Sequence, residues 1–371
     1  MFQYLITIEP LGLLYGSSGR FLSPENLVGR SGTHFPPSTA TLAGLIASKL
    51  DKTQQKSLEL AGPFWAKTQN PQVFYVPTPF HCIVKKGKIT HPKVWHEGEW
   101  KIWDKEKNKW IVPTTEKSEE ETWICIESWE QLISYDPKHF EPISIAQSPW
   151  KALPHLHPRL KQNERRVDTE STEGSLFLEN AIQLNPDNCL VYLSNQKIED
   201  GWYRFGGEGH MVSLTCHEKI SDTVQNLLNR PVGKIFSTIT PSLWGSNRLS
   251  YRAPQSLQKG KDKAARHDLP IVDSDLEVIW SVETMLTQRP HPYRYRLGDR
   301  KDSDGNNIHQ SNQPKLLSRG RYAVPAGSVY VLEKPLSPWY EWKDEWFPQE
   351  GISLKRLGCG LALPLHDLSN S

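Results

Sequence analysis

The sequence lacks most of the features that assign a chemistry at sight. Its five cysteines (Cys82, Cys125, Cys189, Cys216, Cys359) are odd in number, scattered and never in C-x-x-C spacing. That argues against a disulfide framework or a structural zinc site, and for a reducing compartment. The net charge is only +2, so no molecule-wide basic field announces nucleic acid, and any such role must come from local patches. No apolar run is long enough to span a bilayer, and the N-terminus has no basic signal-like region. A cytoplasmic chain without a membrane partner is expected. Neither Gly-Lys-Ser/Thr nor G-x-G-x-x-G occurs, and no His-Asp catalytic signature appears, so an ATPase or DNase role is not expected. No metal or cofactor is implied.

What is present is 14 Trp and 28 Pro in 371 residues, a composition of long ordered loops rather than helical bundles. The length allows two domains or one large one, and a mean hydropathy of −0.57 fits a soluble chain with polar insertions. Phe2 to Glu9 alternates as a strand. Pro10 to Gly32 is a glycine-spotted loop bearing Arg20 and Arg30. It leads past His34, Pro36 and Pro37 to Ser38, a natural N-cap for a helix with Leu42, Leu45, Ile46 and Leu50 on one stripe. A loop ending at a helix N-terminus offers free N–H groups to phosphate. The alternative is a terminus that holds only water and its own cap. Lys85 to Glu121, with Trp95, Trp100, Trp103 and Trp110, reads as a hairpin-like surface insertion. Its charges read as a solvated face, with a partner contact through the Trp residues as the alternative.

The most informative stretch is Trp202-Tyr-Arg-Phe-Gly-Gly-Glu-Gly-His210. Gly206, Gly207 and Gly209 fall within four residues, and a period-two run from Met211 to Cys216 follows as a strand. Glycine has no Cβ and tolerates positive φ, so main chain here can lie close to another chain or cup an anion. The plain alternative is a bulged hairpin turn.

Three basic stretches accompany it. Trp150 to Arg166 carries Lys151, Arg159, Lys161, Arg165 and Arg166. Arg248 to Arg266 reads as a mobile Gly- and Lys-bearing loop. Pro290 to Arg296 interleaves Tyr293 and Tyr295 with Arg294 and Arg296. A second Gly-x-Gly loop, Gly358-Cys-Gly360, lies beside Lys355 and Arg356, and two such loops suggest two similar halves. Strands and helices mix without βαβ alternation, which favours α+β.

Six stretches in order carry a family resemblance: Phe35-Pro-Pro-Ser-Thr-Ala-Thr-Leu-Ala-Gly44, Gly62-Pro-Phe, Glu173-Gly-Ser-Leu-Phe177, Arg204-Phe-Gly-Gly-Glu-Gly209, Thr240-Pro and Val324-Pro-Ala-Gly-Ser-Val-Tyr330. The chain resembles the third subunits of Cmr complexes, RAMP-superfamily proteins of type III-B CRISPR–Cas effectors. The resemblance implies two ferredoxin-like (RRM-type) domains packed together, with loop and hairpin insertions. They divide at 1–217, with an insertion at about 85–125, and 218–371. It implies a non-catalytic, RNA-binding subunit that holds the 5′ repeat-derived tag of the CRISPR RNA. Its other implied partners are the large polymerase-palm subunit and the backbone RAMP subunits, in RNA-guided antiviral defence.

Single-stranded RNA is held by phosphate contacts and by bases stacked on aromatic or arginine planes. The expected RNA-binding set is Arg20, Arg30, His34, Ser38, Arg165, Arg166, Arg204, Gly206, Gly207, Gly209, His210, Arg294 and Arg296, with Tyr293 and Tyr295 as stacking surfaces. The alternative for any single arginine is a surface salt bridge. The alternative function is a RAMP-type endoribonuclease processing precursor RNA, which needs a base and an acid, often His. His34, His81, His155, His157 and His210 qualify by type, but none forms a catalytic pattern with another residue. Gly207→Val is expected to weaken tag-RNA binding with little loss of folding. Gel-shift titration beside a thermal melt checks it, and wild-type affinity would count against the glycine-loop assignment.

Overall fold

The computed structural model describes residues 1–14, 35–113, 118–158, 161, 166–167, 176–206, 209–245, 250–257, 276–297, 317–350 and 352–368. The alternating N-terminal segment forms the strand Tyr4–Pro10, and both its faces are covered. Ile6 and Ile8 enter a cluster with Leu42, Leu45, Ile46, Tyr192, Phe205, Val212 and Leu214. Leu5 faces the other way, into a larger cluster that includes Phe236, Trp244, Trp280 and Tyr330. Burial on two sides explains why four consecutive residues, Leu5 to Ile8, are all buried.

Ten strands make one antiparallel sheet. Its order is Gly201–Phe205, His210–His217, Tyr4–Pro10, Asn188–Ser194, Leu60–Lys67, Tyr75–Pro77, Thr122–Cys125, Ile143–Gln147, Lys88–Pro92 and Cys82–Lys85. A second sheet has the order Val282–Leu286, Val329–Leu336, Gly233–Thr238 and Ala362–Pro364. Read from its Ala362–Pro364 edge, the second sheet has chain-order positions fourth, first, third, second. The same order holds for Tyr4–Pro10, Leu60–Lys67, Asn188–Ser194 and His210–His217 within the first. The mixture is strand-rich with short helices, an α+β arrangement as expected. Among the described residues no helix is long and apolar enough to cross a membrane.

The helix after Pro36 and Pro37 runs Thr39–Ala47 and buries Leu42, Leu45 and Ile46, while Leu50 lies beyond its end. A short helix, Lys52–Ser57, carries a capping box between Asp51 and Gln54. The helix Asp222–Leu228 is capped by Ser221, whose Oγ accepts from Val224 N. The Trp-rich insertion adds a three-stranded meander, Val94–His96, Glu99–Asp104 and Lys109–Ile111, where a hairpin was expected.

The two sheets meet where side chains have been removed. At Gly327 (φ +90) a Cβ would sit 2.8 Å from Thr78 O, and at Gly358 (φ +73) 2.5 Å from Ala61 Cα. At Gly360 (φ +67) it would meet the Trp244 ring at 2.7 Å. The gaps close with hydrogen bonds. Thr240 Oγ1 donates to Gly358 O at 2.6 Å and accepts from Leu361 N at 2.9 Å, and Phe80 N donates to Gly327 O at 2.8 Å. Thr39 Oγ1 donates to Leu357 O at 2.6 Å, and Trp129 Nε1 to Pro364 O at 2.9 Å. The second Gly-x-Gly loop is therefore packing rather than an open surface. Arg356 beside it donates to Leu58 O and Gln55 O.

Gly358→Ala is expected to cost about 3 kcal/mol or more, because a backbone clash and a left-handed φ act together. Gly206→Ala, whose Cβ would meet nothing nearer than 3.8 Å, carries only the φ penalty of about 1 kcal/mol. Urea unfolding of the two variants compares them directly.

His81 gives a pH test. Burial, reinforced by the charge of Lys93, pushes its imidazole down to about 3. The folded ring stays neutral while the unfolded chain takes up a proton below about 6.5. Stability is therefore lost as pH falls from about 6.5 towards 3, by up to about 1.4 kcal/mol per unit. Urea midpoints between pH 7 and pH 4.5 should fall less steeply in His81→Phe than in the wild type.

Candidate nucleic-acid interface

The glycine stretch is a hairpin. Gly201–Phe205 pairs with His210–His217, with Phe205 opposite His210, Arg204 opposite Met211 and Trp202 opposite Ser213. Gly206 and Gly209 take φ of +76° and +68°, and Gly209 N donates to Gly206 O at 3.2 Å. Gly207 and Glu208 lie outside the described residues. The hairpin of the plain reading is thus present as local structure. Gly206 is exposed and Gly209 half-buried, at the outer edge of the ten-stranded sheet.

Alternation along the edge strand separates anchors from free groups. Phe205 is buried in the cluster under the Thr39–Ala47 helix, with Tyr203 packed against it. Tyr203 also donates from its hydroxyl to Glu199 O at 2.7 Å. Trp202 and Arg204 point to the opposite face, where Trp202 is 73% exposed and Met211 42%. An indole that open on a strand otherwise anchored by Phe205 is unusual, because burying it would gain on the order of 2–3 kcal/mol. Arg204 is exposed, and its Cδ lies 3.8 Å from where a Gly209 Cβ would stand. Trp202, Arg204 and the glycine turn therefore form one continuous surface. The sequence alone gives Trp202 no role. The signal was its two-residue spacing from Arg204, out of phase with Phe205.

Two stretches singled out separately are brought together. A Cβ at Gly206 would lie 3.8 Å from Thr41 Cγ2, in the first turn of the Thr39–Ala47 helix. Phe35 packs edge-on against Trp150 at 5.0 Å. Trp150 starts the hairpin Trp150–Pro158 with Leu176–Leu184, which pairs nine residues on each strand. Past Pro158, Lys161 N donates to Arg166 O at 3.0 Å, and Arg166 is exposed. His210 is half-buried at the start of its strand. Arg20, Arg30, His34 and Arg165 lie outside the described residues, as do the side chains of His155 and His157.

The remaining candidates lie elsewhere in the fold. Ser38 caps its helix through backbone geometry, without a side-chain cap bond. Its side chain is half-buried. Burial raises the Tyr293 hydroxyl well above its ordinary value, and its ring meets Tyr295 at 6.2 Å. Tyr295 donates to Glu350 Oε2 at 3.3 Å, beside the buried ion pair of Arg321 and Glu350 at 2.9 Å. Both rings are half-buried, packed against the larger cluster. Arg294 is half-buried, its Nε donating to Ser318 O at 2.9 Å. Arg296 is exposed and its backbone bridges to Leu317. His81 is buried beside Cys82 Sγ at 3.9 Å, out of reach of a substrate. Among the described residues no group of three or more His, Cys, Asp or Glu is placed to hold a metal ion.

Comparisons with known proteins bear on the whole chain. A solved structure described as "Cryo-EM structure of the Type III-B Cmr-beta bound to cognate target RNA" contains a chain 11% identical to this one. The match has a TM-score of 0.44 and covers 88% of this chain and 86% of that one. A chain in "Crystal structure of Csm1-Csm4 cassette in complex with pppApA" is 10% identical, with a TM-score of 0.33, covering 90% and 88%. At TM-scores this low neither likeness bears on the fold or the site. No curated protein matches the chain. The model of the CRISPR-associated protein family Cas_Cmr3 matches residues 7–365, from the first strand of the large sheet to the last strand of the small one. The chain belongs to the Cas_Cmr3 family of CRISPR-associated proteins.

Proposed function

We propose that the chain is the third subunit of a Cmr, type III-B, effector complex of the RAMP superfamily. In this reading it is a non-catalytic RNA-binding subunit that holds the 5′ repeat-derived tag of the CRISPR RNA. It docks the large polymerase-palm subunit and the backbone RAMP subunits in the cytoplasm. The observation that carries the reading is the open face made by Trp202, Arg204 and the Gly206–Gly209 turn. The indole is a stacking platform for an unpaired base. Arg204 supplies positive charge for a phosphate, and the glycine main chain supplies donors without side-chain bulk. Exposed Arg166 and Arg296 add charge elsewhere on the surface.

The family supports membership in a CRISPR effector. The repeated fourth-first-third-second strand order is what two ferredoxin-like domains would give, divided at 1–217 and 218–371. Binding is favoured over RNA cleavage because a metal-free ribonuclease needs both a base and an acid at the scissile phosphate. Among the described histidines, His210 is the one at the turn, and His81 is buried.

Fluorescence anisotropy with a labelled repeat-tag RNA tests the reading. Trp202→Ala is expected to weaken binding about 5- to 150-fold, the worth of one stacked base. Arg204→Ala should weaken it and reduce the salt slope by about 0.7. Both variants should melt like the wild type, since both side chains are exposed. Unchanged affinity in both variants refutes the placement of RNA on this face. Cleavage of precursor RNA by the wild type, lost in His210→Ala with binding retained, refutes the non-catalytic assignment.

A further inference from the structure

The open face at the glycine hairpin continues past Trp202 onto the next two strands of the sheet, and the register sets its residues in rows. Trp202 stands opposite Ser213, and Ser213 stands opposite Glu9. Arg204 stands opposite Met211, and Leu11 N donates to Met211 O at 3.0 Å, which carries the register one residue further. Alternation puts all six on one face, because Ile8, Phe205, Val212 and Leu214 are taken up by the cluster on the other. Two rows therefore lie side by side: Trp202, Ser213 and Glu9, then Arg204, Met211 and Leu11. Met211 and Leu11 are both exposed.

The first row ends in a carboxylate. Glu9 is half-buried near the end of its strand. Among the described residues no hydrogen bond or ion pair engages its carboxylate or the Ser213 hydroxyl. Further along the same face the polar groups are spent on each other. Thr7 Oγ1 donates to Thr215 O at 3.4 Å and lies 3.3 Å from His217 Nε2. A carboxylate held half out of water without a donor costs stability. Its place in the row of an open indole gives that cost a use.

We propose that Glu9 is the specificity-determining residue of the RNA interface, accepting a hydrogen bond from the amino edge of the base stacked on Trp202. This assignment rests on the RNA-binding reading of the face. The spacing suits one nucleotide. Arg204 and Trp202, two residues apart on a strand, are separated by about 7 Å, so one holds a phosphate and the other its base. Trp202 and Glu9 are two strands apart, about 10 Å, so a base lying on the indole spans the Ser213 position and turns its edge to the carboxylate. A carboxylate repels phosphate, which keeps the RNA backbone at the Arg204 end. Reading then falls on the Watson–Crick edge. Guanine presents N1–H and an N2 amino group side by side, which meet both carboxylate oxygens. Adenine and cytosine present one amino group each. Uracil presents a single N3–H between two carbonyl oxygens, and the carboxylate repels both. Guanine ranks first, adenine and cytosine next, and uracil last.

The test uses the full chain and labelled pentaribonucleotides UUNUU, where N is guanine, adenine, cytosine, uracil or hypoxanthine, at one salt concentration. The wild type should bind the guanine probe about 5- to 150-fold tighter than the uracil probe, the worth of one good base-edge pair. Hypoxanthine keeps N1–H and lacks the 2-amino group, so its probe should bind about 3- to 10-fold more weakly than the guanine probe, the worth of one hydrogen bond. Glu9→Gln places a donor beside the acceptor and should bring the guanine and uracil probes to within about twofold of each other. Glu9→Asp keeps the charge and shortens the reach, so it should narrow the preference without tightening the uracil probe. Both variants should melt like the wild type. Three results overturn the proposal: equal binding of all five probes by the wild type, a guanine preference that survives Glu9→Gln, or a Glu9→Gln variant that tightens every probe by the same factor, the mark of a merely repulsive charge. Trp202→Ala keeps this inference apart from the RNA interface itself. Weakening of every probe by Trp202→Ala, with all probes alike in the wild type, leaves the interface standing and removes only the reading by Glu9. No change in any probe with Trp202→Ala or Arg204→Ala removes both.

Discussion

The structure depends on close contact between two sheets at points where no Cβ fits. Gly327, Gly358 and Gly360 hold left-handed φ values and put main chain against main chain or against a Trp ring. Such contacts bring carbonyls and N–H groups away from water, and each unpaired one would cost 1–3 kcal/mol. Thr240, Thr39 and the Phe80 amide meet that demand with short hydrogen bonds. The aromatic cluster around Trp244, Trp280, Trp342 and Tyr330 then fills the volume behind the joint. The joint sets the distance between the sheets, and so decides which strand faces are covered and which stay open.

That division explains why the aromatic-basic stretches had different fates. Pro290 to Arg296 lies against the joint, so Tyr293 and Tyr295 pack partly buried on the larger cluster, and Tyr295 bonds Glu350. Gly201 to Phe205 lies at the outer edge of the large sheet, beyond the reach of the small one. One face there packs under the Thr39–Ala47 helix through Phe205, and the other keeps Trp202 and Arg204 in solvent. The residue types in the two stretches are similar. Their distance from the joint decides whether an aromatic becomes filler or a contact surface.

Much of the fold was legible in local pattern. The strand Tyr4–Pro10, the helix opened by Ser38 and the strand His210–His217 follow from period, proline placement and capping residues, which are short-range signals. The short helix Lys52–Ser57 was equally legible through Asp51 and Gln54 and was passed over. The role of each glycine was not legible. Gly206 and Gly358 both sit in a Gly-rich box and both take φ near +75°. A Cβ on the first would meet only the Thr41 methyl at 3.8 Å and on the second the backbone of Ala61 at 2.5 Å, a difference made by residues far away in sequence. The same limit hides the packing of Tyr293 on the larger cluster, which residues far along the chain supply. Exposure of Trp202 was half legible, since phase against Phe205 fixes its face but not whether that face is covered.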